Sequence, residues 1–380
     1  MITVLIFLLV LGVLVFVHEM GHFLVARRNG IKADEFGFGF PPRLAGFVWD
    51  DEKKKHRLVR GNEEVVSPHT VYSLNWIPLG GFVKIKGEDG EQKDADSFAV
   101  KSAWIRIKVL AAGVTMNFIL AWVLISVVLI AGFPQQVDPS AANGSGERTI
   151  QISEVLPNTP AESMGLRFGD KIVKIGEIDA TSVSQVQEYI ASHKGQSVAL
   201  HIVRGDEALT LSGTPRIEYP KNEGSLGIGL GETEMISYPW YQALWEGAVT
   251  TYRLTAAMLD GIFGIVKGLF TGTHEGLSSV SGPVGIAKLT GQVSDLGIVY
   301  LLYFAAILSI NLGIINILPI PALDGGRILF ILIELAKGSP VSQKVEGIFH
   351  QIGFTLLLLL MVWVTVHDFS KFHIFGNLFG

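Results

Sequence analysis

The stretch VLVFVHEMGHFLVARR, residues 13–28, ends an apolar run that begins at Ile2. Such a run is long enough to cross a bilayer, which needs about 20 mostly apolar residues. Within it, His18 and His22 are four residues apart, so on a helix both imidazoles lie on one face and can share a zinc ion. Glu19 follows His18 directly and can act as a general base on a water molecule at that ion. The stretch predicts either zinc hydrolysis within a membrane or an anchor with a chance pattern.

The composition favours a membrane protein, since 49% of the 380 residues are hydrophobic and the mean hydropathy is +0.41. Four apolar stretches can span a bilayer, namely 2–26, 109–133, 297–317 and 348–366. A fifth, 241–270, is interrupted by Arg253, Asp260 and Lys267 and is interpreted as an amphipathic helix at the membrane surface. The net charge of -5 does not support nucleic-acid binding. Because the chain has no cysteine, any zinc must be held by His, Asp or Glu.

Basic residues predict the orientation of the chain. Near the membrane, basic residues follow the first span and precede the second: Arg27, Arg28, Lys32, Lys101, Arg106 and Lys108. After the second span, the first basic residue is Arg148. Because cytoplasmic loops carry an excess of Lys and Arg, we expect the N-terminus outside and the zinc motif toward the cytoplasmic side. The region 134–290 then lies outside the cytoplasm.

Two segments outside the spans have a recognisable pattern. Residues 74–88, LNWIPLGGFVKIKGE, predict a pair of strands joined by a turn at 78–81. The charged insert DDEKKKHRLVRGNEE, residues 50–64, is interpreted as a solvated loop tip. After the second span, 134–147 is typical of a flexible linker. The β-type runs and one helix-like segment in 148–215 predict a small, separate α+β or barrel-like domain.

A third zinc ligand is predicted far from the first two. In NILPIPALDGGRILF, residues 316–330, two prolines interrupt the third span and two glycines follow Asp324. Irregular backbone at membrane depth is tolerated where it is buried in protein or lines a wet cavity. Asp324 can therefore complete a His, His, Asp site, with a water in the fourth position. Alternatively, Asp324 caps the helix that begins next to it.

Together these motifs resemble a known family. HEMGH with LDGG, and with them EFGFGFPP, IPLGGFVKIKGE, AGVTMNFILAWVL, SGPVGIAKL and NILPIPALDGG, resemble the site-2 proteases, which are intramembrane zinc metalloproteases of peptidase family M50. The bacterial branch of the regulator-of-sigma-E protease type is the most similar. SMGLRFGDKIVKIGEI looks like a single PDZ domain of that branch. Arg327 departs from the pattern, because that branch often has His after LDGG.

The resemblance implies a site and a reaction. His18, His22 and Asp324 are the expected zinc ligands, Glu19 the catalytic base, and Asn316 and Pro321 residues that position the substrate. The implied function is cleavage of membrane-spanning segments of single-span proteins, such as anti-sigma factors or remnant signal peptides, in a bacterial inner membrane. The alternatives are an inactive membrane scaffold with a PDZ domain and a zinc transporter. A transporter would need ligands that recur in other spans.

The predicted fold class is a polytopic α-helical membrane protein with about four transmembrane helices, a membrane-associated β-hairpin region and one extracytoplasmic PDZ domain. The expected domains are 1–133 with HExxH and the β-region, the linker 134–147, the PDZ domain 148–215, a linker with amphipathic helices 216–290, and the last two spans 291–380 with LDGG.

Substrate binding is predicted in two places. A transmembrane helix must be unwound before its carbonyls can be attacked, since they are engaged in its own hydrogen bonds. The strand edge within 72–86 could hold the unwound segment by β-addition, although an ordinary hairpin is equally compatible. The PDZ domain could bind a substrate tail or exclude bulky substrates. The other histidines are expected at surfaces or interfaces: His56, His69, His193, His201, His274, His350, His367 and His373.

Overall fold

The structure is a computed structural model that describes residues 2–61, 63, 65–88, 94–136, 148–220, 223–271, 282–339 and 341–371. Its α-helices are α1 Ile2–Arg28, α2 Ala103–Ala131, α3 Pro160–Met164, α4 Val183–Ser192, α5 Trp240–Thr271, α6 Pro283–Asp295, α7 Ile298–Ile317, α8 Asp324–Lys337 and α9 Gln343–Lys371. Its strands are β1 Ala33–Asp50, β2 Lys55–Arg60, β3 Val71–Ile85, β4 Phe133–Gln136, β5 Arg148–Val155, β6 Lys171–Ile175, β7 Ile178–Asp179, β8 Val198–Arg204, β9 Glu207–Gly213 and β10 Ile228–Ile236.

Four of the described helices, α1, α2, α7 and α9, are long and apolar enough to cross a membrane. They coincide with the four predicted spans and confirm the polytopic fold. The second helix begins at Ala103 rather than near Val109. The helix therefore includes the charged Arg106, whose guanidinium lies 2.7 Å from the Glu334 carboxylate of α8. The charged 241–270 stretch is the single long helix α5.

Residues 1–124, 248–288 and 305–380 form one compact unit, which contains a three-stranded sheet in the order β2-β1-β3. The predicted strand pair with a turn at 78–81 is wrong. The 71–74 arm of β3 pairs with residues 35–38 of β1 and the 81–85 arm with residues 33–38, and no pairing joins the two arms in the described register. The segment expected to form a hairpin therefore encloses another strand.

Gly37 lies in the strand between the two arms. Its neighbour Phe36 pairs with Tyr72 in one arm of β3 and with Val83 in the other. A Cβ on Gly37 would lie 2.3 Å from the hydroxyl of Ser73 and 2.9 Å from the ring of Phe82, so glycine leaves room on this face of the sheet for side chains from both arms. These long-range contacts are not visible in the alternation of 74–88.

The charged insert 50–64 was predicted as a loop tip, and this prediction is wrong for its second half. Residues 51–54 form an exposed turn, but β2 pairs with 45–50 of β1. Val59 of β2 is fully buried with Val48 and Val71. Strand pairing and one buried valine outweigh the charges, because every charged side chain of β2 stays exposed.

The sheet packs on the first membrane helix through aromatic residues and glycines. The rings of Phe23 and Phe36 stack with their centroids 4.6 Å apart. Nearer the start of α1, a Cβ on Gly80 would lie 2.5 Å from the side chain of Val15. The β-region therefore follows α1 along much of its length, which agrees with a membrane-associated β-region.

Residues 125–247 and 289–304 form the second compact unit, which holds the PDZ domain. Its sheet has the order β4-β10-β5-β6-β8-β9, with β7 paired to β6. Its core includes Ile152, Ile175, Val186 and Leu200. The sheet thus includes β4 and β10, which lie outside the predicted range 148–215. Residues 137–147 of the predicted linker, like His274 and His373, lie outside the described residues.

An ion pair fixes one corner of the PDZ domain. Asp170 is fully buried, and its two oxygens accept hydrogen bonds of 2.7 Å from Arg204. This pairing raises the pKa of Arg204 above its already high ordinary value. A buried carboxylate held this way is costly to leave without its partner.

Candidate functional site

His18 and His22 lie on one face of α1, as their spacing predicts, and each is only 6% exposed. Their Nε2 atoms are 3.1 Å apart. The carboxylate of Asp324, at the start of α8, meets both rings. Its Oδ2 atom lies 3.1 Å from His18 Nε2 and 3.3 Å from His22 Nε2. The fold therefore brings together three side chains that are far apart in the chain.

These three atoms have the separation that a zinc ion requires. Ligands about 2.0–2.1 Å from a tetrahedral zinc lie roughly 3.3 Å from one another. Among the described residues, His18, His22 and Asp324 form the cluster of His, Asp and Glu side chains that could hold a metal ion. Oδ2 of Asp324 is buried and has no hydrogen-bond partner in the described part of the chain. A buried carboxylate oxygen that faces two imidazole nitrogens without a hydrogen bond fits a bound cation.

The second helix holds His22 in the form that a metal needs. His22 Nδ1 lies 2.8 Å from the backbone carbonyl of Val109. Because a carbonyl only accepts, Nδ1 carries the hydrogen and Nε2 is left with a free lone pair. Val109 was not identified from the sequence, since a backbone carbonyl leaves no signal in the residue type.

Two glycines let α1 and α2 approach closely at the site. A Cβ on Gly21 would lie 2.4 Å from the carbonyl oxygen of Ala112. A Cβ on Gly113 would lie 2.4 Å from His22 Nε2 and 2.7 Å from His18 Cε1. The space beside Gly113 is thus occupied by the histidines themselves. The AGVTMN motif contains this glycine, but nothing in the motif alone connects it with the histidines.

The loop before α8 is the irregular segment that the prolines predicted. Ala322 has a φ of 72°, and a Cβ on Gly325 would lie 2.2 Å from the carbonyl oxygen of Leu318. The chain therefore turns back on itself just before the helix. Leu323 is the N-cap residue and makes no side-chain cap hydrogen bond. Asp324 follows it with Oδ2 directed at the histidines, so the geometry does not support a capping role.

The last helix fixes this loop from the other side. His350 Nδ1 accepts a hydrogen bond of 2.8 Å from the backbone N–H of Ala322. A Cβ on Gly353 would lie 2.1 Å from Pro321 Cβ, so α9 and the loop are in direct contact. His350 is thus an interface residue, as expected for a histidine without ligand spacing.

The remaining predicted site residues occupy different positions. Glu19 is half-buried and close enough to interact electrostatically with both histidines. Asn316 lies in the last turn of α7 and Pro321 in the loop that follows. The described contacts do not bring either of them to His18 or His22. Arg327, the departure from the family pattern, forms an ion pair with Glu88, just after β3.

The chain is similar to several known proteins. The model of peptidase family M50 matches residues 6–61 and 63–360. The zinc metalloprotease RasP of Geobacillus kaustophilus is 31% identical, with 96% of this chain and 97% of that protein covered. The regulator of sigma-W protease RasP of Bacillus subtilis is 30% identical, with 97% and 98% covered. Among solved structures, the PDZ domain of an SdrC-like protein from Listeria monocytogenes is 24% identical, covering 23% of this chain and 90% of that one, with a TM-score of 0.20.

Proposed function

This chain belongs to peptidase family M50, and on that premise we propose that it cleaves membrane-spanning segments of single-span membrane proteins. The chain is a multi-pass membrane protein and a zinc metalloprotease, like its named relatives. The observation that carries the proposal is the convergence of His18, His22 and Asp324, whose facing atoms lie 3.1–3.3 Å apart. Three ligands that leave one position open, beside the carboxylate of Glu19, favour a hydrolase over an inactive scaffold.

We assign the protein ligands of the zinc to Nε2 of His18, Nε2 of His22 and Oδ2 of Asp324. The separations of these atoms suit tetrahedral coordination, and three protein ligands leave one position open, as in catalytic zinc sites. The free lone pair on His22 Nε2, which follows from its bond to Val109, supports its place in the set.

Glu19 is the proposed base. When bound, the zinc supplies Lewis acidity, which lowers the pKa of a coordinated water and polarises the scissile carbonyl. Glu19 accepts a proton from the attacking water and donates it to the leaving amine nitrogen as the carbon–nitrogen bond breaks. Asn316 and Pro321 are proposed to position the substrate, since they belong to the helix end and loop that carry Asp324.

The 81–85 arm of β3 is the proposed site for the unwound substrate. Within the described strands, this arm pairs on one side with β1 and leaves its other edge open. It lies on α1 close to the base, because Val83 and Met20, the neighbour of Glu19, pack against the same buried cluster, and a Cβ on Gly81 would lie 3.0 Å from the Cα of Phe16. An extended peptide can add to such an edge through main-chain hydrogen bonds. Crosslinks from a bound substrate should therefore map to 72–86, and crosslinks confined elsewhere would refute this assignment.

The orientation of the chain follows from its charges. Arg27 and Arg28 end α1, whereas no Lys or Arg occurs between Lys108 and Arg148 on the far side of α2. By the positive-inside rule, the zinc site opens toward the cytoplasm of a bacterial cell membrane and the PDZ domain lies outside. One variant carries a cysteine in the turn 51–54 between β1 and β2, and another carries one in the PDZ domain. An impermeant maleimide should label the first from the cytoplasmic side of the membrane and the second from the outer side.

The PDZ domain is proposed to bind the tail of the substrate. Residues 228–232 of β10 pair with β5 on one side, while β4 covers the other side only at 233–236. Helix α4 lies beside this edge, where the Val183 N–H donates to Glu232. An open strand edge beside a helix is the arrangement with which PDZ domains bind peptides. Deleting 148–236 should abolish cleavage if the domain recruits substrates, whereas cleavage of uncut substrates would indicate that it excludes them.

The decisive experiment replaces Glu19 with Gln and follows cleavage of a reporter that carries one membrane helix. Glu19→Gln should retain about one zinc per chain and lose cleavage, because the ligands remain and the base does not. Asp324→Asn should lose both. Thr115→Ala, on the exposed side of α2, serves as the matched control. Undiminished cleavage by Glu19→Gln would favour another base, and absence of cleavage and zinc in the unmodified protein would favour an inactive scaffold.

A further inference from the structure

Asn117 of α2 lies against the first zinc-binding histidine and has no role so far. Its side chain is fully buried, and its Nδ2 atom is 3.1 Å from His18 Nδ1. Its Oδ1 atom is buried without a hydrogen-bond partner in the described part of the chain. Buried amide oxygens are normally paired, so an orphaned one beside a metal ligand requires an explanation.

The chemistry of His18 explains the unpaired oxygen of Asn117. If His18 binds zinc through Nε2, its Nδ1 carries the hydrogen and becomes a donor. An amide NH2 group facing that donor repels it, whereas an amide oxygen accepts its hydrogen. The O and N atoms of an Asn side chain exchange places by a half-turn that leaves the shape unchanged. We propose that Asn117 is a positioning residue whose carbonyl oxygen accepts the His18 Nδ1 hydrogen and holds Nε2 toward the zinc.

The surroundings keep Asn117 in place for this task. Its backbone carbonyl accepts a hydrogen bond of 2.8 Å from the hydroxyl of Ser309, a fully buried residue of α7. Gly313, one turn later on α7, faces Asn117, since a Cβ there would lie in ordinary contact, 3.5 Å from the Cβ of Asn117. The side chain is therefore held between α1 and α7. His22 has a backbone carbonyl as its partner, and Asn117 gives His18 the equivalent partner.

This inference rests on the proposed role of His18 as a zinc ligand. Partners that orient metal-binding histidines typically change metal affinity by about 10–100-fold when they are removed. We therefore expect Asn117→Leu, which has a similar shape and no acceptor, to weaken zinc binding by about that factor. Asn117→Asp keeps an acceptor and should bind zinc at least as tightly as the unmodified protein.

The experiment uses the full chain, purified in detergent, and titrates zinc against a competing chelator. The visible spectrum of the cobalt-substituted protein reports whether the site stays tetrahedral. Thr115→Ala is the control, because Thr115 is exposed on the same helix and its hydroxyl bonds Ala111. If Asn117→Leu does not fold, Asn117→Ala replaces it, and both are compared with Asn117→Asp.

The outcomes separate this role from a merely structural one. Weak zinc binding by Asn117→Leu that is restored in Asn117→Asp, with an altered cobalt spectrum only in the former, supports the proposal. Unchanged zinc affinity in Asn117→Leu, or equal weakening in folded Asn117→Asp, overturns it. His18→Ala tests the premise separately, since zinc retention by that variant would refute the ligand assignment itself.

Discussion

Replacing Gly113 with alanine should displace a proposed zinc ligand, His22, without weakening the helix that carries the change. The new Cβ would lie 2.4 Å from His22 Nε2 and 2.7 Å from His18 Cε1, whereas ordinary contacts begin at 3.4 Å. The rings must therefore move by about 1 Å, the difference between 3.4 and 2.4 Å. Since a zinc–nitrogen bond is about 2.0–2.1 Å long, such a shift removes His22 from the coordination sphere.

The expected loss exceeds that of an orienting partner, which is about 10–100-fold in metal affinity. We therefore expect Gly113→Ala to bind zinc at least about 100-fold more weakly and to lose cleavage of the reporter. Helix propensity works in the opposite direction, because alanine is favoured over glycine in a helix by roughly 1 kcal/mol. Zinc content and reporter cleavage, measured together, check the prediction.

The matched controls are Gly261→Ala and Gly264→Ala in α5. A Cβ at either position meets nothing within 4 Å, so both variants should keep their zinc and their activity. If Gly113→Ala retains one zinc per chain and cleaves normally, α2 does not lie against the histidines as described, and the reasoning fails.

Three further substitutions test the loop before α8, the start of α6 and the PDZ domain. In Gly353→Ala the new Cβ would lie 2.1 Å from Pro321 Cβ, and the variant should have a reduced kcat because the loop that leads to Asp324, the proposed third zinc ligand, is displaced. Steady-state kinetics on a variant with normal helix content checks this. Asp368→Asn weakens the carboxylate that accepts from the Gly282 and Gly285 N–H groups, and should destabilise the start of α6 by about 1 kcal/mol, visible as faster hydrogen exchange there. Asp170→Asn breaks the buried ion pair and should cost the PDZ domain about 3 kcal/mol, measured by hydrogen exchange of β5–β9 in the full chain.

Much of the site could be predicted because its signals are local. His18 and His22 share a helix face by spacing alone, and the apolar run around them is itself a membrane signal. Asp324 was accessible because prolines and glycines mark the irregular loop that precedes it. The apolar stretches also located the four spans, although the second helix begins at Ala103 rather than near Val109 and includes Arg106, which is paired with Glu334 of another helix.

The strand pairing could not be predicted in the same way. Residues 74–88 alternate as a hairpin would, yet β1 inserts between the two arms of β3. Alternation reports which face a side chain occupies and carries no information about which strand is its neighbour. Gly37 illustrates this, because its missing side chain leaves room for Ser73 of one arm and Phe82 of the other, two residues that the alternation does not connect with it.

The sequence by itself determined which groups are present and the medium: two imidazoles, the carboxylate of Glu19 that is proposed as the base, and helices apolar enough to cross a bilayer. Only the tertiary structure decided what surrounds them. Gly113 and Asn117 belong to the site because α2 lies against α1 at the histidines. The residues next to them in the sequence do not indicate this contact. The physical reason is that the residue type determines what a side chain can bind. Its orientation depends on atoms that packing brings from distant parts of the chain.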